Sequence, residues 1–162
     1  MTLSALEYIY NFHDCDMLPP IKREGDNMIV AFSLAKHLQY DELKEKYRDI
    51  LRDREYEIVV SVCFENCTEL QACEERYPDK KELFKKRGSL TKKEILFSEF
   101  DWNLDFLSVT MAQDEENKIA FSFANATKNA YINFCMSDVV VLKEEIVDQA
   151  TYEAMLDNQQ YG

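Results

Sequence analysis

Apolar residues recur with a period of two along "YEIVVSVCFE" (56–65), where Tyr56, Ile58, Val60, Val62 and Phe64 share one face and Val59 and Cys63 the other. Apolar side chains on both faces predict a central strand. "NMIVAFSL" (27–34) repeats the pattern, with Met28, Val30, Phe32 and Leu34 opposed to Ile29, Ala31 and Ser33. The period changes in "YDELKEKYRDILRDREY" (40–56), where Leu43, Tyr47, Ile50 and Leu51 make a helical stripe and Asp41 is a candidate cap. Further on, 104–111, 118–124 and 130–142 predict a three-strand meander turned by "AQDEENK" and "NATKN". "DQATYEAMLD" (148–157) predicts a closing helix with Tyr152, Met155 and Leu156 as its stripe.

Other segments carry mixed signals. In "TLSALEYIYNF" (2–12), Leu6, Tyr8, Tyr10 and Phe12 alternate as in a strand, while Leu3, Leu6 and Tyr10 follow helical spacing. "PPIKREGDN" (19–27) reads as a turn, because two prolines and Gly25-Asp26-Asn27 disfavour both regular structures. "SLTKKEILFSEF" (89–100) holds a capping-box pattern: Thr91 and Glu94 can exchange side-chain and backbone bonds, with Leu90 and Ile95 as the staple. The tripartite pattern Phe-x-Asn-x-Thr occurs at 64–68 and again at 123–127, which reads as a repeated strand-end turn, with two structurally similar hairpins as the alternative. Strands and helices do not alternate, so the expected fold is α+β: a single mostly antiparallel sheet of about five strands with two or three short helices. Residues 1–162 are expected to form one such domain, fraying over 157–162.

Charge narrows the function classes. Thirty-one acidic residues against 19 basic ones leave a net charge of −12, which repels phosphate backbones and anionic lipid. Nucleic-acid and membrane partners are therefore not expected; such a surface attracts basic proteins or cations, and the alternative reading is that the acidity serves solubility. The basic residues cluster once, in "DKKELFKKRGSLTKK" (79–93), read as a solvated loop and helix entrance. The opening "MTLSALEYIYNF" lacks an early Lys or Arg and carries Glu7 in its apolar run, so no leader is expected. With five cysteines, an odd number, this predicts reduced thiols and a cytoplasmic location.

The densest candidate chemistry is "YNFHDCDMLPP" (10–20), with His13, Asp14, Cys15 and Asp16 side by side. As a metal-dependent hydrolase, the chain would use His13, Asp14 and Asp16. Only one further histidine, His37, is present, and Cys63, Cys67 and Cys73 do not have zinc-ligand spacing. A Cys15 nucleophile with His13 as base lacks a glycine-rich turn or helix start to lower its pKa. The sequence favours a structural role, His13 and Asp14 organising a chain reversal. No cofactor is implied. A second candidate is "SEFDWNLDF" (98–106), where Glu99, Asp101 and Asp105 surround Trp102, the only tryptophan. Carboxylates around an aromatic anchor suit a partner-binding surface; the alternative places Trp102 and Phe106 in the core at a strand entrance.

The run "YIYNFHDCDMLPPIKREGDNMIVAFSL", an aromatic stretch ending in Phe-His-Asp before an alternating strand, resembles a group of small bacterial proteins of unknown function. Several immunity proteins of polymorphic toxin systems are similar. "VVSVCFENCTEL" matches a later strand of that group, and the helix expected at 41–55 departs from its simplest form. The resemblance implies a compact, β-rich cytoplasmic protein without enzymatic activity that occludes a toxin. It leads to an acidic binding protein acting on a basic partner, with self-pairing of apolar patches into a homodimer as a further reading.

Overall fold

A computed structural model of the protein describes residues 1–12, 15–34, 40–52, 55–76, 91–112 and 115–161. These fall into two compact units, the first comprising Met1–Cys67 and Met136–Gly162 and the second Thr68–Cys135.

Unit 1 opens with α1 (Leu3–Tyr10). The helical reading of this segment prevails: Leu3, Leu6 and Tyr10 are buried, while Tyr8, which alternation would bury, is 73% exposed. Thr2 caps the helix by accepting from the Ala5 amide, and Asn11 ends it in the left-handed conformation that asparagine tolerates. An antiparallel sheet follows in the order β1 (Asp16–Glu24), β2 (Asn27–Ser33), β3 (Tyr56–Glu65), β9 (Asp138–Asp148). β3 is central, as its two apolar faces predict. On one face Met28, Val30, Phe32, Val60, Val62 and Phe64 are buried, and Phe12 stacks on Phe32 at 4.1 Å between ring centroids. On the other, Leu18, Val59, Val147 and Tyr152 pack together under α4 (Gln149–Tyr161). Asp148 holds the start of α4 by accepting from the Thr151 amide at 2.7 Å.

Unit 2 is a five-stranded antiparallel sheet in the order β5 (Thr91–Ile95), β4 (Thr68–Arg76), β8 (Lys128–Cys135), β7 (Glu115–Ala124), β6 (Asp105–Ala112). Alternation along β7 and β8 buries Ile119, Phe121, Phe123, Ala130, Ile132 and Phe134 on one face. Phe100, Trp102 and Phe106 add their rings around Phe123.

The expected single sheet of about five strands with two or three helices is thus corrected to two sheets, of four and five strands, with four α-helices among the described residues: α1, α2 (Asp41–Lys46), α3 (Arg48–Arg52) and α4. Three local signals misled. The stretch 130–142 reads as one strand, but it is broken at Met136-Ser137, where the chain passes from one sheet to the other. Ser137 is held there by donating its amide to the Glu65 carbonyl at 2.9 Å and accepting from the Asn66 side chain at 2.8 Å. "TELQACEER" is too charged to show alternation, yet it becomes β4 because β5 and β8 pair along both its edges. The capping box at Thr91 forms no helix: Lys92 and Lys93 lie opposite Glu75 and Glu74 in β5, and strand pairing with opposite charges prevails over the local cap.

Two smaller expectations also change. The Pro19-Pro20 segment lies within β1, not in a turn; β1 is an edge strand, where a missing amide costs no ladder bond. The turn is reduced to Gly25-Asp26, with Gly25 at φ +61°. The helix at 40–56 is divided at Tyr47, and its cap position is held by Tyr40 without a side-chain bond, Asp41 being the first helical residue. Of the two Phe-x-Asn-x-Thr stretches, the one at Asn125 turns the β7–β8 hairpin, and the one at Asn66 leads from β3 into the other sheet.

Candidate functional site

Two clusters of charged and aromatic side chains stand out, one in each unit. In unit 2, a 3-10 turn at Phe97–Glu99 leads to buried Phe100, then to Asp101 and Trp102, and β6 begins at Asp105. Asp101 folds back to accept from the Asn103 amide at 2.9 Å, an aspartate turn that the sequence type permits. Its other oxygen meets the Lys128 ammonium at 3.0 Å, and Lys128 reaches Glu74 at 3.1 Å. Arg76, opposite Lys128 across the β4–β8 pair, approaches Glu74 at 3.7 Å. Asn125 fixes the start of β8 by accepting from the amides of Thr127 and Lys128. Together, Arg76, Asp101, Asn125, Thr127 and Lys128 line a polar cleft of about 260 Å3.

Lys128 and Glu74 are both buried. Burial alone would lower the Lys128 pKa, but Asp101 and Glu74 outweigh it and raise it. Burial would likewise raise Asp101, and the Asn103 amide with Lys128 holds it below the usual carboxylate range. For Asp101 and Lys128, each partner thus favours the charged form of the other. Trp102 is half-buried, its ring 4.5 Å from Phe100 and 5.9 Å from both Phe97 and Phe123. Glu99 and Asp105 are exposed. The four residues expected at a partner surface thus share one short segment, but Asp101 is engaged by Lys128.

In unit 1 the centre is Glu144 on β9. It accepts from the Tyr10 hydroxyl at 2.8 Å, the Tyr47 hydroxyl at 2.9 Å and the Lys46 ammonium at 2.8 Å. Burial would raise its pKa, but these three donors outweigh it and keep the carboxylate below its usual range. Burial, followed by Glu144 itself, pushes the Tyr10 phenol up. These three bonds tie α1 and the α2 end to the sheet through one carboxylate. Sequence reasoning missed this tie because Tyr10 lies 134 positions from Glu144 and Tyr47 lies 97. The one available signal was a carboxylate on a strand position sharing a face with buried Val60.

His13 and Asp14 lie outside the described residues, whereas Asp16 is exposed as the first residue of β1. Cys15 is buried, its thiol 3.5 Å from the carbonyls of Tyr10 and Asn11, which ties the chain just past α1. All five cysteines are free thiols, and burial pushes the Cys67 thiol up to about 11. Among the described residues, no group of three or more His, Cys, Asp or Glu side chains is arranged to hold a metal ion, so they lend no support to the metal-dependent hydrolase reading. No helix among them is long and apolar enough to cross a membrane.

The acidic excess is divided unevenly. Unit 1 carries 19 acidic and 9 basic residues, a net −10, and unit 2 carries 12 and 10, a net −2. Comparison with protein-family models, curated proteins and solved structures finds no match.

Proposed function

We propose that the chain is a non-enzymatic binding protein whose unit 1 presents a carboxylate-dense surface to a basic protein partner and occludes it, in the manner of an immunity protein. The net −10 of unit 1 carries the reading, because a field of that sign steers a basic surface toward it and repels nucleic acid. Its exposed carboxylates include Asp41, Glu42 and Glu45, which line an open groove on α2 with Lys46. The two charged clusters add support, since Asp101, Lys128 and Glu144 are each held in the charged form by fixed partners in a structural tie. A second reading places the contact at half-buried Trp102 between exposed Glu99 and Asp105, an aromatic anchor flanked by acids.

The test is affinity capture of basic proteins on the full chain at low salt, followed by titration of the captured protein against two variants. The triple variant Asp41→Asn, Glu42→Gln, Glu45→Gln is expected to weaken binding and flatten its salt dependence. Glu99→Gln with Asp105→Asn is expected to leave both unchanged. Reversed results would move the contact to the Trp102 corner. Binding that is indifferent to salt and to both variants would end the charge-based reading.

A further inference from the structure

The outer face of the unit 1 sheet, beside α4, holds a cavity of about 210 Å3. Its origin lies in two small side chains. Ala31 on β2 and Ser61 on β3 are directly opposite each other, so the centre of the face is shallow where the neighbouring Val59 and Ile29 stand higher. Leu18 and Met155 close the apolar side. The volume falls below the roughly 300 Å3 at which drug-sized pockets begin, which limits an occupant to one ring or a short chain.

The rim is cationic in a unit that is otherwise strongly acidic. Lys22 stands on edge strand β1 and Lys143 on edge strand β9. The edges are three strand spacings apart, about 14 Å, so two extended lysines reach toward the middle from opposite sides. Lys143 pairs with Glu145, the one acid at the rim. Lys22 forms no ion pair among the described residues, and the Ser61 hydroxyl has no hydrogen-bond partner among them. An unneutralised ammonium and an unused hydroxyl over an apolar floor match one ligand chemistry.

We propose that this cavity binds a small amphipathic carboxylate, its anionic head between Lys22 and Lys143 and its ring or short chain over Ala31 and Ser61. Amphipathic fit explains the arrangement: the apolar part is desolvated on Val59 and Leu18, and the head stays at the wet rim beside the lysines. This site is independent of the basic-partner surface, since it uses the opposite charge.

Octanoate and benzoate, titrated into the full chain and followed by backbone amide shifts, test the site. Saturable shifts are expected at residues 29–31 and 59–61, with octan-1-ol and benzyl alcohol binding at least several-fold more weakly. Lys22→Gln is expected to weaken octanoate about fivefold, as for the loss of one exposed ion pair, and Glu145→Gln to strengthen it. Ser61→Met fills the centre and abolishes binding; if that variant misfolds by circular dichroism, the exposed Lys22→Gln and Lys143→Gln variants decide alone. Absence of saturable shifts at millimolar octanoate overturns the proposal. So does equal binding of acid and alcohol, or an affinity unchanged in the double lysine variant.

Discussion

Unit 1 sets 19 acidic residues against 9 basic ones and leaves most of the described carboxylates exposed, whereas unit 2 sets 12 against 10 and buries its Glu74–Lys128 pair. Unit 1 also backs its sheet with α4, while unit 2 has no α-helix among the described residues. The contrast shows that a net charge read from a whole chain does not say where the charge acts. The acidic segment around Trp102 is conspicuous in the sequence, yet its Asp101 is turned inward to balance a buried lysine. The carboxylates of unit 1 are spread over Met1–Cys67 and Met136–Gly162, which hold 13 and 6 of them.

The largest expected effects test whether each unit rests on its own aromatic core. Phe32→Ala in unit 1 and Phe121→Ala in unit 2 each remove a fully buried ring, and each is expected to cost about 3–5 kcal/mol in urea unfolding. A loss well below this at either site would show that the ring is not a principal support of its unit.

Next in size is the buried charge of unit 2. Lys128→Met leaves Glu74 buried and Asp101 without its ammonium, an expected loss of about 3 kcal/mol. The same change in an Asp101→Asn, Glu74→Gln background should cost much less. If the two losses were equal, the ion cluster would not be the reason.

In unit 1, Glu144→Gln is expected to cost about 1–3 kcal/mol at neutral pH, because three donors lose a charged acceptor. Glu144 has a lower pKa folded than unfolded, so the folded chain binds fewer protons in the window below the ordinary carboxylate value. Its stabilisation is present above that value and is lost as pH falls through the folded one. Stability curves from pH 6 downward should therefore be less steep in the variant than in the parent, and parallel curves would show that Glu144 is not the acid-sensitive tie.

The smallest effect concerns Cys67, whose thiol is raised from 9.0 to about 11 by burial. Here the folded chain keeps a proton that the unfolded chain releases, so stability is lost as pH rises from about 9 through about 11. Cys67→Ala is expected to cost about 1 kcal/mol at neutral pH and to flatten the alkaline limb. An unaltered alkaline limb would point to other titrating groups, Tyr10 among them.

Strands with strict alternation, such as 56–65 and 27–33, were legible because burying one or two faces imposes a period of two on neighbouring residues. The closing helix was equally legible from Tyr152, Met155 and Leu156. At the candidate site, the sequence located the Trp102 segment but not the commitment of Asp101, since Lys128 and Glu74 are remote from it in the chain.

What the amino-acid order determined alone is therefore local: strand periods, the helical stripe of the closing segment, the acidic excess and the proximity of Trp102 to its acids. The division into two sheets, the conversion of a charged segment into β4, the burial of Lys128 and the gathering of donors on Glu144 were decided by tertiary structure. The physical reason is range. A face of a strand is written in residues two apart, but an edge pairing or a buried ion pair depends on partners tens of positions away, and these compete with local signals only once the chain has collapsed.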